Sequence, residues 1–104
     1  MSGRQTVLAD ISAENTFTDS IQLFGYFNLS ISGTFSATVT VQRSYDNINF
    51  ADADTFTSPS EEVGYEPQEM YYRVGIKTGD YTAGTAAGAL AKDQVMKAKT
   101  AVLY

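Results

Sequence analysis

The chain has 104 residues, a formal net charge of −5, 43% hydrophobic residues, no Cys and no His. That length suits one domain able to bury roughly two-thirds of its unfolded surface, and the apolar content argues against a disordered chain. Without Cys or His there are no disulfides, no thiolate metal sites and no imidazole base or ligand, and no apolar run nears the ~20 residues of a membrane-spanning helix.

Charge is unevenly spread. Between Arg43 and Arg73 lie Asp46, Asp52, Asp54, Glu61, Glu62, Glu66 and Glu69, with no base among them. An acidic middle is unsuited to nucleic acid, which is held by clustered Lys and Arg. It reads as solvated loops or as an acidic docking face. The start, Met1 to Gln5, leads into no hydrophobic signal region, so cytoplasmic synthesis is the expectation.

In chain order, Gln5–Ala9 is a short strand candidate and Asp10–Asp19 is polar and turn-like, so residues 1–18 form an arm or an edge segment. Ile21–Ile31 alternates strictly. Ile21, Leu23, Gly25, Phe27, Leu29 and Ile31 share one face, and Gln22, Phe24, Tyr26, Asn28 and Ser30 the other. Gly25 predicts a bend or bulge, and Phe24 with Tyr26 makes the second face aromatic enough to need a cover. Ser32–Thr34 is the expected turn into Phe35–Ser44. There Phe35, Ala37, Val39 and Val41 face the core, and Ser36, Thr38, Thr40 and Gln42 a wetter side. The four β-branched residues Thr38–Val41 favour the strand.

Asp46–Asn47 supplies turn chemistry before Phe50 anchors the returning chain. Ala51–Phe56 is a half-exposed strand, Pro59 marks a break, Glu61–Tyr65 is a further short strand, and Glu66–Glu69 is a loop. Met70–Lys77 is the last strong strand, with Tyr72, Val74 and Ile76 on one face and Tyr71, Arg73 and Lys77 on the other. Gly79–Asp80 is a turn. Residues 86–104 are compatible with strand or helix by composition, but Gly84 and Gly88 and the β context favour a strand through Ala91. Repeated short strands and turns predict an all-β, antiparallel β-sandwich, Ig-like or jelly-roll-like, over residues 19–92, followed by a C-terminal arm or short helix over 93–104.

Candidate chemistry is thin. Asp52 and Asp54, two apart, would share a strand face as paired glycosidase carboxylates do, but they also suit a solvated edge. The acids lack calcium-loop spacing, the glycines form no phosphate loop, and no Ser has a His partner. No catalytic residue, metal site or cofactor is expected.

Four segments in order carry a resemblance: Gly33–Ser44, Tyr45–Phe50, Tyr71–Val74 and Gly79–Thr85. The series resembles the small β-sandwich accessory proteins of tailed-phage virions, which share a strand ending in Gln-Arg-Ser, an Asp turn, an aromatic, a Tyr-Arg strand and a Gly-Thr closing strand. Phe50 stands where such proteins usually carry Trp, and Asp46–Ile48 replaces their Asp-Gly-Gly. The Ser44–Phe50 unit also resembles the Asp-box hairpin of sialidase-type propellers, but it occurs once, one residue short. The virion resemblance implies a non-enzymatic capsid decoration (cement) protein, made in the host cytoplasm and resident on the virion. It would bind the major capsid protein or another virion protein, as a homo-oligomer with a trimer favoured. Alternatives are a neck, tail or head-fibre component, or a small carbohydrate-binding module using Tyr26, Tyr45, Tyr71 and Tyr72. The expected partner interface is Phe24, Tyr26 and Tyr71 with the apolar tip Val102, Leu103 and Tyr104, since aromatics concentrate at interface cores.

Overall fold

A computed structural model of the chain describes residues 4–93. Seven strands, β1 (Arg4–Ile11), β2 (Thr16–Phe17), β3 (Ile21–Ala37), β4 (Val39–Ser44), β5 (Ala51–Phe56), β6 (Ser60–Ile76) and β7 (Tyr81–Asp93), account for its regular structure, with no helix among the described residues. Hydrogen bonding follows the order β1-β7-β3-β6-β4-β5, with β2 added on β6. Every pairing is antiparallel.

The alternation in Ile21–Ile31 does what its period demands. Ile21, Leu23, Phe27, Leu29 and Ile31 are buried, while Gln22, Phe24, Tyr26 and Asn28 are exposed. At Ser32–Thr34, however, the chain does not turn. β3 runs on to Ala37, pairing first with β6 (Ile21–Ile31) and then with β7 (Asn28–Ala37). Gly33, at φ +101°, lies against the backbone of Thr85, and Gly84, at φ +87°, lies against Thr34 and Phe35. These glycines let two backbones approach closely in mid-strand instead of closing a hairpin. The break falls at Thr38, whose N–H donates to the Asp80 carbonyl at 2.9 Å, so the expected Phe35–Ser44 strand is divided between β3 and β4.

β6 likewise joins what the sequence divides. The expected short strand Glu61–Tyr65, the expected loop Glu66–Glu69 and the strand from Met70 form one 17-residue element. Pro67 is accommodated because the register jumps from Leu23↔Met70 to Gly25↔Glu66, which sets Pro67–Glu69 in a bulge opposite Phe24. Proline has no N–H for a ladder, and a bulge asks for none. Gly25, at φ +87°, takes the bend expected of it.

The antiparallel β-sandwich expected from the alternation forms, with its two layers hydrogen-bonded into one path. β1, β7 and the second half of β3 make one layer; β5, β4, the C-terminal end of β6 (Tyr71–Ile76) and β2 make the other. Ile21–Ile31 of β3, paired with Ser60–Tyr72 of β6, joins them. Leu23, Ile31, Met70, Val74, Ile76 and Leu90 are almost wholly buried between the layers. Where β7 crosses β6, a methyl of Val74 fills the space a side chain at Gly88 would need.

The outer side of β4 departs from expectation. Thr40 and Gln42 are buried rather than wet, and Ser44 beyond them is buried as well. The guanidinium of Arg73, across the ladder from Gln42, lies between the rings of Phe17 and Phe50 at 4.3 and 4.0 Å. This stack roofs the face that alternation alone marks as solvated. Residues 4–18 take the edge-segment alternative rather than a detached arm, through β1 on β7 and β2 on β6. At the other end the strand alternative holds through Asp93, and the arm or helix expected beyond it lies outside the described residues.

Gly75 should be sensitive to substitution, because a Cβ there meets the backbone of Thr16 and Phe17. Gly75→Ala is expected to cost about 1–3 kcal/mol by overpacking, measured as a lower urea midpoint. An unchanged midpoint contradicts the close seating of β2 on β6.

Candidate interaction face

The register of β3 on β6 sets Tyr26 opposite Tyr65 and Asn28 opposite Val63 on the outer face. The two tyrosine rings meet with centroids 4.9 Å apart, tilted by 55°. Phe24, Tyr26, Val63 and Tyr65 are 45%, 62%, 70% and 60% exposed, although all are large and apolar or aromatic. Beyond them Asn28 and Ser30 of β3 and Ala89 and Ala91 of β7 form a shallow floor of small side chains. Leu8 of β1, opposite Ala89, is exposed at its far side. The acids Glu61 and Asp10 flank this strip on the same outer face, by their registers opposite Ser30 and Ala87.

Of the expected interface residues, the structure brings Phe24 and Tyr26 onto this face. Tyr71 is opposite Gln22, on the same side but half-buried and across the Pro67–Glu69 bulge. Val102, Leu103 and Tyr104 lie outside the described residues. Tyr65 and Val63 complete the patch and escaped sequence reading. Their own alternation in Glu61–Tyr65 was the available signal, but only the register places them beside Tyr26. The four-tyrosine sugar platform is not assembled, since Tyr72 is buried on the opposite face, its ring 5.0 Å from that of Phe27.

The acidic residues hold structure together. Asp52 and Asp54 do not share a face. A bulge at Val41/Gln42 leaves Asp52 opposite Gln42 and Asp54 opposite Val41, and those neighbours on β4 point to opposite sides. Asp52 accepts from Gln42 Nε2 at 2.9 Å and from Lys77 Nζ at 2.6 Å, and Lys77 above all holds its carboxyl below the usual range. Gln42 Oε1 in turn accepts from Arg73 Nε at 2.9 Å. Asp46 is the turn-former the sequence suggests. Its carboxylate accepts the N–H groups of Asn49 and Ile48 at 2.9 Å, which hold it far below the ordinary aspartate range. Among the described residues no group of three or more acidic side chains is placed to hold a metal ion.

Glu66 is the buried exception, 1% exposed. Its Oε1 accepts from Arg43 Nη2 and from the Tyr72 hydroxyl, each at 2.7 Å, and its Oε2 from the Gln68 N–H at 3.3 Å. Burial pushes its carboxyl up, but the bonds from Arg43, Tyr72 and Gln68 outweigh burial and leave it below the ordinary glutamate value of 4.5. A carboxyl lowered on folding contributes stability that is present above that value and lost as pH falls through the folded one. Glu66→Gln should therefore cost about 1–3 kcal/mol at neutral pH and lose less further stability than the wild type on acidification through 4.5. Denaturant titrations over that range check this. Equal acid sensitivity in both proteins contradicts an ionised Glu66 in the fold.

No protein-family model matches this chain, and no curated protein matches it. Among solved structures it is similar to a chain of the Bacillus endospore appendages, described as a novel family of disulfide-linked pili, at 9% identity over 88% of each chain with a TM-score of 0.39. A likeness at that level transfers nothing about function.

Proposed function

We propose that this chain is a non-catalytic assembly protein that docks on a larger structure through the outer face of β3 and β6. The observation that carries the reading is the strip of Phe24, Tyr26, Val63 and Tyr65, large side chains held exposed on a two-strand floor. Contiguous exposed apolar area marks an interaction site, and tyrosines are favoured at interface cores because they bury much area at little entropic cost. The virion assignment rests on the sequence resemblance. On that basis the assembly is a tailed-phage head, the partner is the major capsid protein, and the work is mechanical: added interface that resists internal pressure. A neck, tail or head-fibre position would use the same face. The flanking acids Glu61 and Asp10 favour a partner surface with a basic rim, so binding should weaken with salt.

Purified protein is expected to bind phage heads that lack it and to raise their resistance to heat. Tyr26→Ala combined with Tyr65→Ala should weaken that binding about 30-fold or more, as loss of interface anchors does. The melting temperature should barely move, because both rings are mostly exposed. A wild-type protein that binds no head but captures a glycan at micromolar concentration overturns the reading in favour of a carbohydrate-binding module. Equal binding by the double variant removes this face from the interaction.

A further inference from the structure

The two ends of the sheet are built differently. At one end β5 carries devices that discourage strand addition. A bulge interrupts its pairing with β4, Asp52 and Asp54 charge it, Lys77 ties down Asp52, and the Asp54 carboxylate takes up the N–H of Thr55 at 2.8 Å. At the other end β1 has no bulge, and its two charged residues, Arg4 and Asp10, stand near its two ends. Its eight residues pair with β7 from Arg4↔Asp93 to Ile11↔Ala86 without a register shift, and they include no Pro, Gly or Lys. Its second edge has no strand partner among the described residues. Thr6, Leu8 and Asp10 lie on the outer face, with Leu8 71% exposed, while half-buried Val7 and Ala9 lie on the inner face.

We infer that β1 pairs with β1 of a second copy, antiparallel and centred on Val7, joining two molecules into one continuous sheet. The sequence of the strand is self-complementary in that register. Arg4 stands opposite the second copy's Asp10, and by symmetry Asp10 opposite its Arg4. Val7 meets Val7 on the inner side. Leu8 stands opposite Thr6, with the second copy's Leu8 as its diagonal neighbour, so the most exposed apolar residue of β1 is covered by its own equivalent. Opposite charges directly across an antiparallel pair stabilise it, and like charges do the reverse. A shift of one residue turns the apolar set to the wrong side, and a shift of two keeps the faces aligned but loses both charge pairs. Such a contact is isologous and closes after two copies, so a trimer does not form through it. It leaves the Tyr26–Tyr65 strip of each copy free for the partner proposed above, and it does not depend on that partner being a phage head.

Sedimentation equilibrium from micromolar to millimolar protein, without particles, tests the pairing. The wild type should rise toward twice the 11.3 kDa chain mass. Asp10→Arg and Arg4→Glu should each weaken dimerisation about tenfold, since one reversal alters both symmetric pairs. The two reversals combined should return it to within about threefold of the wild type. Leu8→Lys, at an exposed position that the isolated fold does not need, should weaken it as well, with an unchanged dichroism spectrum. A monomer throughout the range, a trimer, or a dimer indifferent to the single reversals overturns the inference. So does a combined variant no better than the single ones.

Discussion

Pairing between β3 and β6 is the constraint on which the rest of the molecule depends. Each strand is 17 residues long, and Ile21–Ile31 of β3 pairs with Ser60–Tyr72 of β6. Their C-terminal ends then part into different layers. β7 attaches to β3 and carries β1, while β4 and β2 attach to β6 and β4 carries β5. No layer has an independent origin. The same ladder sets the core and the candidate interaction face, because the pairing that buries Leu23 and Phe27, on either side of the bulge, turns Phe24, Tyr26 and Tyr65 outward.

The bulge in that ladder links it to the buried polar chemistry. Pro67–Glu69 leave the regular pairing, and the Gln68 N–H turns to the Glu66 carboxylate instead. Arg43 of β4 and Tyr72 of β6 supply its other donors, and the charge-assisted bonds at 2.7 Å are short. On the opposite side of β4 and β6, Arg73 joins β2, the chain before β5 and Gln42 through two ring contacts and one hydrogen bond. Cationic groups that the composition makes scarce are thus spent on cross-strand ties. The acids Asp10 and Glu61 are left on the outer face without such ties among the described residues, in their registers opposite Ala87 and Ser30.

How much of this is legible in the sequence depends on how local each cause is. Burial of Leu23, Phe27, Val39, Val41, Val74 and Ile76 follows from alternation within single strands, as do the outward positions of Phe24 and Tyr26. The Asp46 turn and the Gly25 bend are also local. What fails is whatever a distant segment decides. Gly33 reads as a turn residue until β7 is seen to pass against it. Glu66–Glu69 reads as a loop because Pro67 breaks the local pattern, while its partner strand tolerates a bulge. Thr40 and Gln42 read as wet because their cover comes from Phe17, far earlier in the chain, and from Phe50 beyond the Asp46 turn, both stacked on Arg73. Tyr65 and Val63 join the candidate face only through a register that no short stretch of sequence encodes.

Native-state hydrogen exchange on the isolated protein tests the central role of the β3–β6 ladder most directly. Elements that open only with global unfolding exchange most slowly. The account predicts that the slowest amides lie in the paired stretches Ile21–Ile31 and Ser60–Tyr72, with β5 and the outer edge of β1 faster. Slower exchange in the β4–β5 pair than in β3 and β6 would contradict it, because the layers would then hold together without the ladder that joins them.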